Sequence, residues 1–387
     1  MNEKLTRAIA ELHASPARAV IACTGAGAGV QDALCKIPGA SQTILEAVFP
    51  YSEKALIDFL GHKPQKSCSP ETALRMAVAA RHRGMELDIR SGGTGKNIIG
   101  LGLTATITTN RPKRGENRVF LAASSDSGLR SASHIFEKNE DGYGKLGREG
   151  EGIISDHLAL NLLLETAGLE QILAAGEMRI EKHVSLLEKL SKRDSLADLL
   201  IHPNETLGTA ADLDPKKHIL FDGSFNPLHH GHRNFARQAK FATGMDVVYA
   251  ISTNHPDKGA IPREELLARS EQFRWFAPVL FTENTGRFVD KAERFSGFSF
   301  LIGMDTLIRI LDQKYYDCPV REITRRLRDD YQAHFYVVQR AVNGKLSNLH
   351  ETLLEKGITP GFWLMFTPIP GRIDVASRDL RTTSAAF

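Results

Sequence analysis

A chain of 387 residues is longer than a single hydrophobic core usually supports, so two domains are expected. Its composition, 42% hydrophobic and 25% charged, is that of a globular protein, and no run of roughly 18 apolar residues offers a membrane span. The 49 basic and 46 acidic residues are mixed along the chain rather than blocked, which argues against a nucleic-acid footprint and leaves room for a local phosphate pocket.

The opening segment, MNEKLTRAIAELHASPARAV, lacks the apolar centre and cleavage site of a secretory signal, and Glu3 and Glu11 do not suit an organelle transit peptide, so a cytoplasmic location is expected. Cys23, Cys35, Cys68 and Cys318 show no CxxC spacing, and neither a zinc site nor a disulfide framework is indicated. An apolar run over 17–23 reads as a strand that enters the glycine-rich turn from Thr24 and Gly25 to Gly29, followed by an amphipathic stretch over 30–37. A helix is predicted over 70–83, where Leu74, Met76, Ala77 and Val78 recur at helical spacing, and strands over 102–108 and 118–123. The polar, glycine-rich stretch 138–152 predicts an exposed loop before a helix over 153–165. These elements form a layered α/β domain over 1–170; a charged helical linker over 171–215 then leads to a second domain over 216–387, whose first strand is 218–221.

That strand runs into Asp222-Gly223-Ser224-Phe225-Asn226-Pro227-Leu228-His229-His230-Gly231-His232, ahead of a predicted helix over 233–241. A strand opening through glycine and proline into a helix start aims backbone N–H groups and the positive helix end at one point, as phosphate binding requires. His229 and His232 can face the same anion, and Gly231 removes an obstructing side chain. Alone, the histidines would also suit a surface turn or a metal-binding patch. With GSFNP directly upstream, the segment resembles the HxGH nucleotidylyltransferase superfamily, and most closely its nicotinamide and nicotinate mononucleotide adenylyltransferases.

Three further stretches follow in that family's order. Pro256-Asp257-Lys258, after a strand over 246–251, matches its P-x-K, and Arg263 and Arg269 follow on a predicted helix. Gly303-Met304-Asp305 matches a strand ending in G-x-D, whose aspartate contacts a ribose or organises the site. Ser377 and Arg381 match the second serine and the arginine of the ISSTxxR element that holds the triphosphate, with Ala376 and Arg378 departing from it. The resemblance implies a Rossmann-like parallel sheet, ATP with Mg2+, and transfer of AMP to a small phosphorylated acceptor. His229, His232 and Lys258 would be catalytic, and Gly223, Ser224, Phe225, Asn226, Gly231, Gly303, Asp305, Ser377 and Arg381 would bind nucleotide. Rival readings are transfer to phosphopantetheine, a CTP-dependent reaction, or a non-catalytic nucleotide sensor.

In the first domain, Cys23-Thr24-Gly25, Pro38-Gly39, Pro50-Tyr51-Ser52 and Leu103-Thr104 resemble, in order, the C-terminal domain of the CinA family, which includes nicotinamide mononucleotide deamidases. The chemistry is altered. Ala22 stands where that family has a serine and Leu56 where it has a lysine, although Lys54 is nearby. The resemblance thus implies a divergent pocket of Thr24, Gly25, Tyr51, Ser52, Lys54 and Thr104, or a structural role in forming a homo-oligomer. The stretch Arg90-Ser91-Gly92-Gly93-Thr94-Gly95-Lys96-Asn97 looks like a phosphate loop but has Arg90 at its first glycine and Asn97 at its hydroxyl position, so it reads as an exposed turn.

Overall fold

The computed structural model describes residues 3–172, 180–191, 193, 195–255, 259–283, 285–338, 341–342, 345–346 and 348–369. The chain divides into two units, Met1–Ser185 and Leu186–Phe387. Among the described residues no helix is long and apolar enough to cross a membrane.

The first unit runs α1 (Glu3–Ala14), β1 (Arg18–Thr24), α2 (Ala28–Cys35), α3 (Ala40–Thr43), β2 (Ile44–Val48), α4 (Glu53–Leu60), α5 (Pro70–Arg90), β3 (Ile98–Thr106), β4 (Asn117–Ser125), β5 (Gly128–Phe136), α6 (Gly147–Thr166) and β6 (Glu181–His183). Its sheet has the order β2-β1-β3-β4-β5-β6, parallel through β2, β1 and β3 and antiparallel beyond. Successive β1 residues serve opposite faces. Ile21 and Cys23 join Ile9 and Leu12 of α1 and Leu158 and Leu162 of α6, whereas Val20 and Ala22 pack with Leu56 and Leu60 of α4 and Met76 and Ala80 of α5. Two glycines on β3 set how near α5 lies. A Cβ at Gly100 would stand 2.0 Å from the Ala77 carbonyl oxygen, and one at Gly102 would stand 2.4 Å from that of Ala73.

The second unit runs α7 (Leu186–Leu190), β7 (Leu199–Ile201), β8 (Leu207–Thr209), β9 (His218–Asp222), α8 (His230–Thr243), β10 (Asp246–Ser252), the short ribbon of β11 (Asn254–His255) and β12 (Gly259–Ala260), α9 (Arg263–Glu271), β13 (Val279–Thr282), α10 (Phe288–Arg294), β14 (Ser299–Gly303), α11 (Met304–Ile310), α12 (Val320–Arg325), β15 (His334–Val338), a second ribbon of β16 (Ala341–Val342) and β17 (Lys345–Leu346), α13 (Leu349–Glu355) and β18 (Phe366–Ile369). Its sheet has the order β18-β15-β14-β9-β10-β13-β7-β8. The strands from β18 to β13 are parallel, and β7 and β8 extend that sheet as an antiparallel edge. From β9 the chain first builds outward through β10 and β13, then returns to the other side with β14. The carboxyl end of β9 is therefore the switch point, where open parallel sheets form their ligand crevice.

The α/β class and the parallel second sheet agree with the sequence. The stretch 171–215 differs: rather than a helical linker it supplies edge strand β6 to the first sheet, then the five-residue α7 and strands β7 and β8 to the second unit. The sequence reading also lacks β5, and α6 begins at Gly147, inside the stretch expected to be loop.

The glycine-rich 91–97 turn is already filled from within. Gly95 N–H donates to Asp88 Oδ2 at 2.8 Å, and Arg18 pairs with Oδ1 of the same buried carboxylate. A Cβ at Gly93 would stand 2.2 Å from that carboxylate. The turn cradles an anion of the protein's own, which leaves no nest for a phosphate.

Candidate functional site

At the switch point β9 gives way to a tight loop built around Phe225. This side chain is fully buried, although its backbone sits in the left-handed region at φ 43°. Its ring packs against Phe221, Tyr249 and Phe273 at centroid distances of 5.2–5.5 Å, and Gln272 Nε2 donates to its carbonyl oxygen at 3.0 Å. Gly223 is required above it, since a Cβ there would stand 2.7 Å from the Phe225 ring. The Phe225 ring is thus an anchor for the loop, and what this residue can offer a nucleotide is its backbone.

The two histidines cap α8 reciprocally. His229 Nδ1 accepts from the Gly231 N–H at 3.1 Å, and His232 Nδ1 accepts from the His229 N–H at 3.3 Å. With both Nδ1 lone pairs committed to backbone N–H groups, each neutral ring carries its proton on Nε2 and becomes a donor there. The rings lie 3.7 Å apart, His229 buried and His232 half-buried with its edge against Phe225.

Beside this turn opens a cavity of about 600 Å³. Gly223, Ser224 and Asn226 line one side, together with Glu265 and Arg269 of α9; Gly286, Arg287 and Phe288 line another, and Thr306, Arg309, Ile310, Tyr315 and Tyr316 a third. Asp222 and Ser252, at the ends of β9 and β10, contribute to it as well. Arg269 pairs with Glu265 and donates to the Ser224 carbonyl at 3.2 Å, while Asn226 Nδ2 donates to Glu265 Oε1 at 3.1 Å. Arg287 is paired with Asp290, which keeps its guanidinium firmly charged through a side-chain hydrogen bond. Arg309 donates to Thr306 Oγ1 at 3.2 Å and has no carboxylate partner among the described residues. Tyr316 donates from its hydroxyl to the Ile310 carbonyl at 2.9 Å, and burial pushes its pKa up to about 12, so it is a neutral donor near pH 7.

Residues 220–358 match the family model for cytidylyltransferase-like proteins. The cytidylyltransferase-like segment thus contains the whole turn from Phe221 to His232, the cavity walls, the end of β9 and strands β10 to β15. No curated protein matches the chain. Similar solved structures fall in the N-terminal part. They include the competence/damage inducible protein CihA from Agrobacterium tumefaciens, 21% identical, covering 42% of this chain and 93% of that one with a TM-score of 0.33. A CinA superfamily protein from Escherichia coli is 18% identical, covering 42% and 87% with a TM-score of 0.32. Another from Klebsiella pneumoniae is 15% identical, covering 43% and 99% with a TM-score of 0.33.

Of the residues singled out in the cytidylyltransferase-like segment, Gly223, Ser224 and Asn226 line the cavity, and His229, Gly231 and His232 form the helix start that follows. Gly303 ends β14, Asp305 is exposed in the first turn of α11, and its neighbour Thr306 lines the cavity. Lys258, Ser377 and Arg381 lie outside the described residues. Arg263 is a structural residue, donating to the Leu190 and Arg193 carbonyls. Sequence reasoning did not single out Glu265, Arg287, Lys291, Arg309, Tyr315 or Tyr316, which are spread over α9, α10, α11 and the turn after it and carry no local motif.

In the first unit, Thr24 and Thr104 are register partners at the carboxyl ends of β1 and β3. Gly25 is fixed there at φ 82°, where a Cβ would stand 2.0 Å from the Ala105 carbonyl oxygen. The polar atoms nearby are largely spent on the fold. Ser52 Oγ caps α4 by accepting from the Ala55 N–H at 3.2 Å, Thr104 Oγ1 donates to the Ser67 carbonyl at 2.7 Å, and Lys54 is exposed. Tyr51 is exposed, with its hydroxyl 3.4 Å from Arg148. Ala22 and Leu56 are both buried in the apolar layer beneath α4 and α5. Neither a serine nor a lysine function exists at those points, and a charged replacement would have to enter a hydrocarbon environment. The intact chain is accordingly expected to release no ammonia from nicotinamide mononucleotide above a no-enzyme background; release abolished by Thr24→Ala would reveal a rebuilt hydrolytic site instead.

Proposed function

We propose that the second unit transfers AMP from ATP to the phosphate of a small acceptor, nicotinamide or nicotinate mononucleotide, releasing pyrophosphate. The observation that carries this reading is the capped HxGH turn, whose paired histidines and helix start follow directly on the Gly223, Ser224 and Asn226 wall of the cavity at the sheet's switch point. A cytidylyltransferase-like domain supports nucleotidyl transfer in general. The GSFNP run, together with the CinA-like sequence of the first unit, favours ATP and a pyridine mononucleotide over CTP and an alcohol phosphate.

In this mechanism a phosphate oxygen of the acceptor attacks the α-phosphorus of ATP in line, a new P–O bond forms, the bond to the β-phosphate oxygen breaks, and pyrophosphate leaves with its electron pair. The protein supplies position and charge stabilisation rather than a nucleophile. His229 and His232 donate to phosphate oxygens as charge develops, and Arg309 adds a cation with no carboxylate partner among the described residues. Lys258 offsets charge between acceptor and ATP, and Ser377 and Arg381 hold the terminal phosphates. Among the described residues no group of three or more His, Cys, Asp or Glu side chains could hold a metal. Mg2+ bound with ATP would supply charge neutralisation at the phosphates.

The test is pyrophosphate release from ATP and from CTP across nicotinamide mononucleotide, nicotinate mononucleotide, phosphopantetheine and an alcohol phosphate. Turnover of ATP with one of the pyridine mononucleotides is expected. Turnover confined to CTP would reassign the donor, and ATP binding without turnover on any acceptor would make the unit a nucleotide sensor.

A further inference from the structure

A buried cation outside the cavity lining pairs with a carboxylate of that lining. Lys291 of α10 is buried, with a side chain only 2% exposed, and it pairs with Asp222 Oδ1 at the end of β9. The same ammonium donates to Ser252 Oγ at the end of β10 at 3.0 Å and lies 5.0 Å from the centre of the Phe288 ring. Asp222 and Ser252 both line the cavity, and Asp222 keeps 18% of its side chain exposed there. Its second oxygen, Oδ2, has no hydrogen-bond partner among the described residues.

A lone carboxylate would be a poor lining for a pocket that takes phosphates, because like charges repel most strongly where water is scarce. The buried ammonium changes that balance. It cancels the charge and fixes the carboxylate's orientation, so that Oδ2 remains a strong acceptor on a locally neutral floor. An acceptor of this kind suits a hydroxyl donor, as carboxylates at the ends of parallel strands do for ribose. An ion pair that merely braced the strands would need neither an open oxygen nor a place on the cavity wall.

Resting on the nucleotidyl-transfer reading above, we propose that Asp222 accepts a hydrogen bond from a ribose hydroxyl of a bound nucleotide, with Lys291 as the positioning residue that neutralises and orients it. The hydroxyl could belong to ATP or to the mononucleotide acceptor, and the same chemistry would serve either. Loss of a hydrogen bond to a charged acceptor lowers affinity on the order of 10- to 100-fold.

Calorimetric titration of the full chain distinguishes the two sources: ATP against its 2′- and 3′-deoxy forms in one arm, nicotinamide mononucleotide against its deoxy forms in the other. Wild-type protein is expected to bind one deoxy ligand on the order of 10- to 100-fold more weakly than its parent, and the affected arm names the source. The paired substitution Asp222→Leu with Lys291→Met removes both charges together, which buried pairs tolerate better than loss of one partner. In that variant the parent and deoxy ligands should bind within about threefold of each other, at the affinity of the deoxy ligand for wild type. Should the double variant fail to fold, absence of a deoxy preference in wild type still overturns the proposal, as does a folded double variant that keeps the preference. Parent ligands that bind with no preference over any deoxy form would overturn the proposal and leave nucleotidyl transfer standing, whereas no binding of either parent would remove both.

Discussion

Replacing His232 by alanine is expected to lower kcat on the order of 100-fold, because the ring supplies a donor to charge that appears only during transfer. ATP affinity should stay within about threefold, since ground-state contacts to the triphosphate come from several other groups. The geometry makes the expected effect larger than the removal of one donor in isolation. His232 Nδ1 holds the His229 N–H at 3.3 Å, and His229 in turn holds the Gly231 N–H, so loss of one ring loosens the seat of the other. Loss of the cap should also lower stability by about 1 kcal/mol. His232→Asn separates the two contributions: its short amide can still accept from the helix-start backbone, but it does not place a donor where the Nε2–H stood. If His232→Ala keeps full kcat, the turn is a helix cap and nothing more. If His232→Asn restores kcat along with stability, the histidine acts through the cap and does not touch the reacting phosphates.

The turn was legible in the sequence because its backbone requirements and its chemistry fall within one short run. Gly223 is needed above Phe225, the histidines sit at cap and third helical position, and all three constraints are written in the consecutive residues 222–232. The opposite cavity wall was not legible. Arg287 comes from the approach to α10 and Arg309 from α11, so only the strand order brings them to the turn. The misread linker has a different cause. Glu181, Lys182 and His183 are polar, as edge strands commonly are, and they join the first sheet by backbone pairing with residues 129–131. Leu199, Leu200 and Ile201 form a continuous buried run, which periodicity alone cannot distinguish from a helix segment. The glycine turn at 91–97 resembled a phosphate loop for a physical reason, since it wraps an anion; that anion is Asp88.

The largest stability loss is expected at Glu205, between β7 and β8. Its carboxylate is buried against Arg274, whose Nε donates to Oε1 at 2.7 Å, and it also pairs with Lys189; the side chains of Glu205 and Arg274 are 6% and 4% exposed. This cluster ties the edge hairpin to the segments after α9 and around α7. Burial alone would raise the Glu205 pKa, but hydrogen bonds and attraction from Lys189 and Arg274 outweigh it and hold the carboxyl below its ordinary value of 4.5. Glu205→Leu takes from the buried Arg274 guanidinium its closest carboxylate, with Glu271 3.2 Å away, and should cost about 3 kcal/mol of unfolding free energy near neutral pH. Because the folded-state pKa is depressed, the contribution is fully present above the unfolded value and is lost as pH falls through the folded one. The difference between wild type and Glu205→Leu should therefore be constant from neutral pH down to about 5 and should shrink in more acidic buffer. Adding Arg274→Met to Glu205→Leu removes the buried charge that has lost Glu205 and should recover most of the loss in denaturant titrations. A double variant no more stable than Glu205→Leu would mean that the carboxylate serves the hairpin's backbone geometry, where Glu205 sits at φ 67°, and not the buried pair.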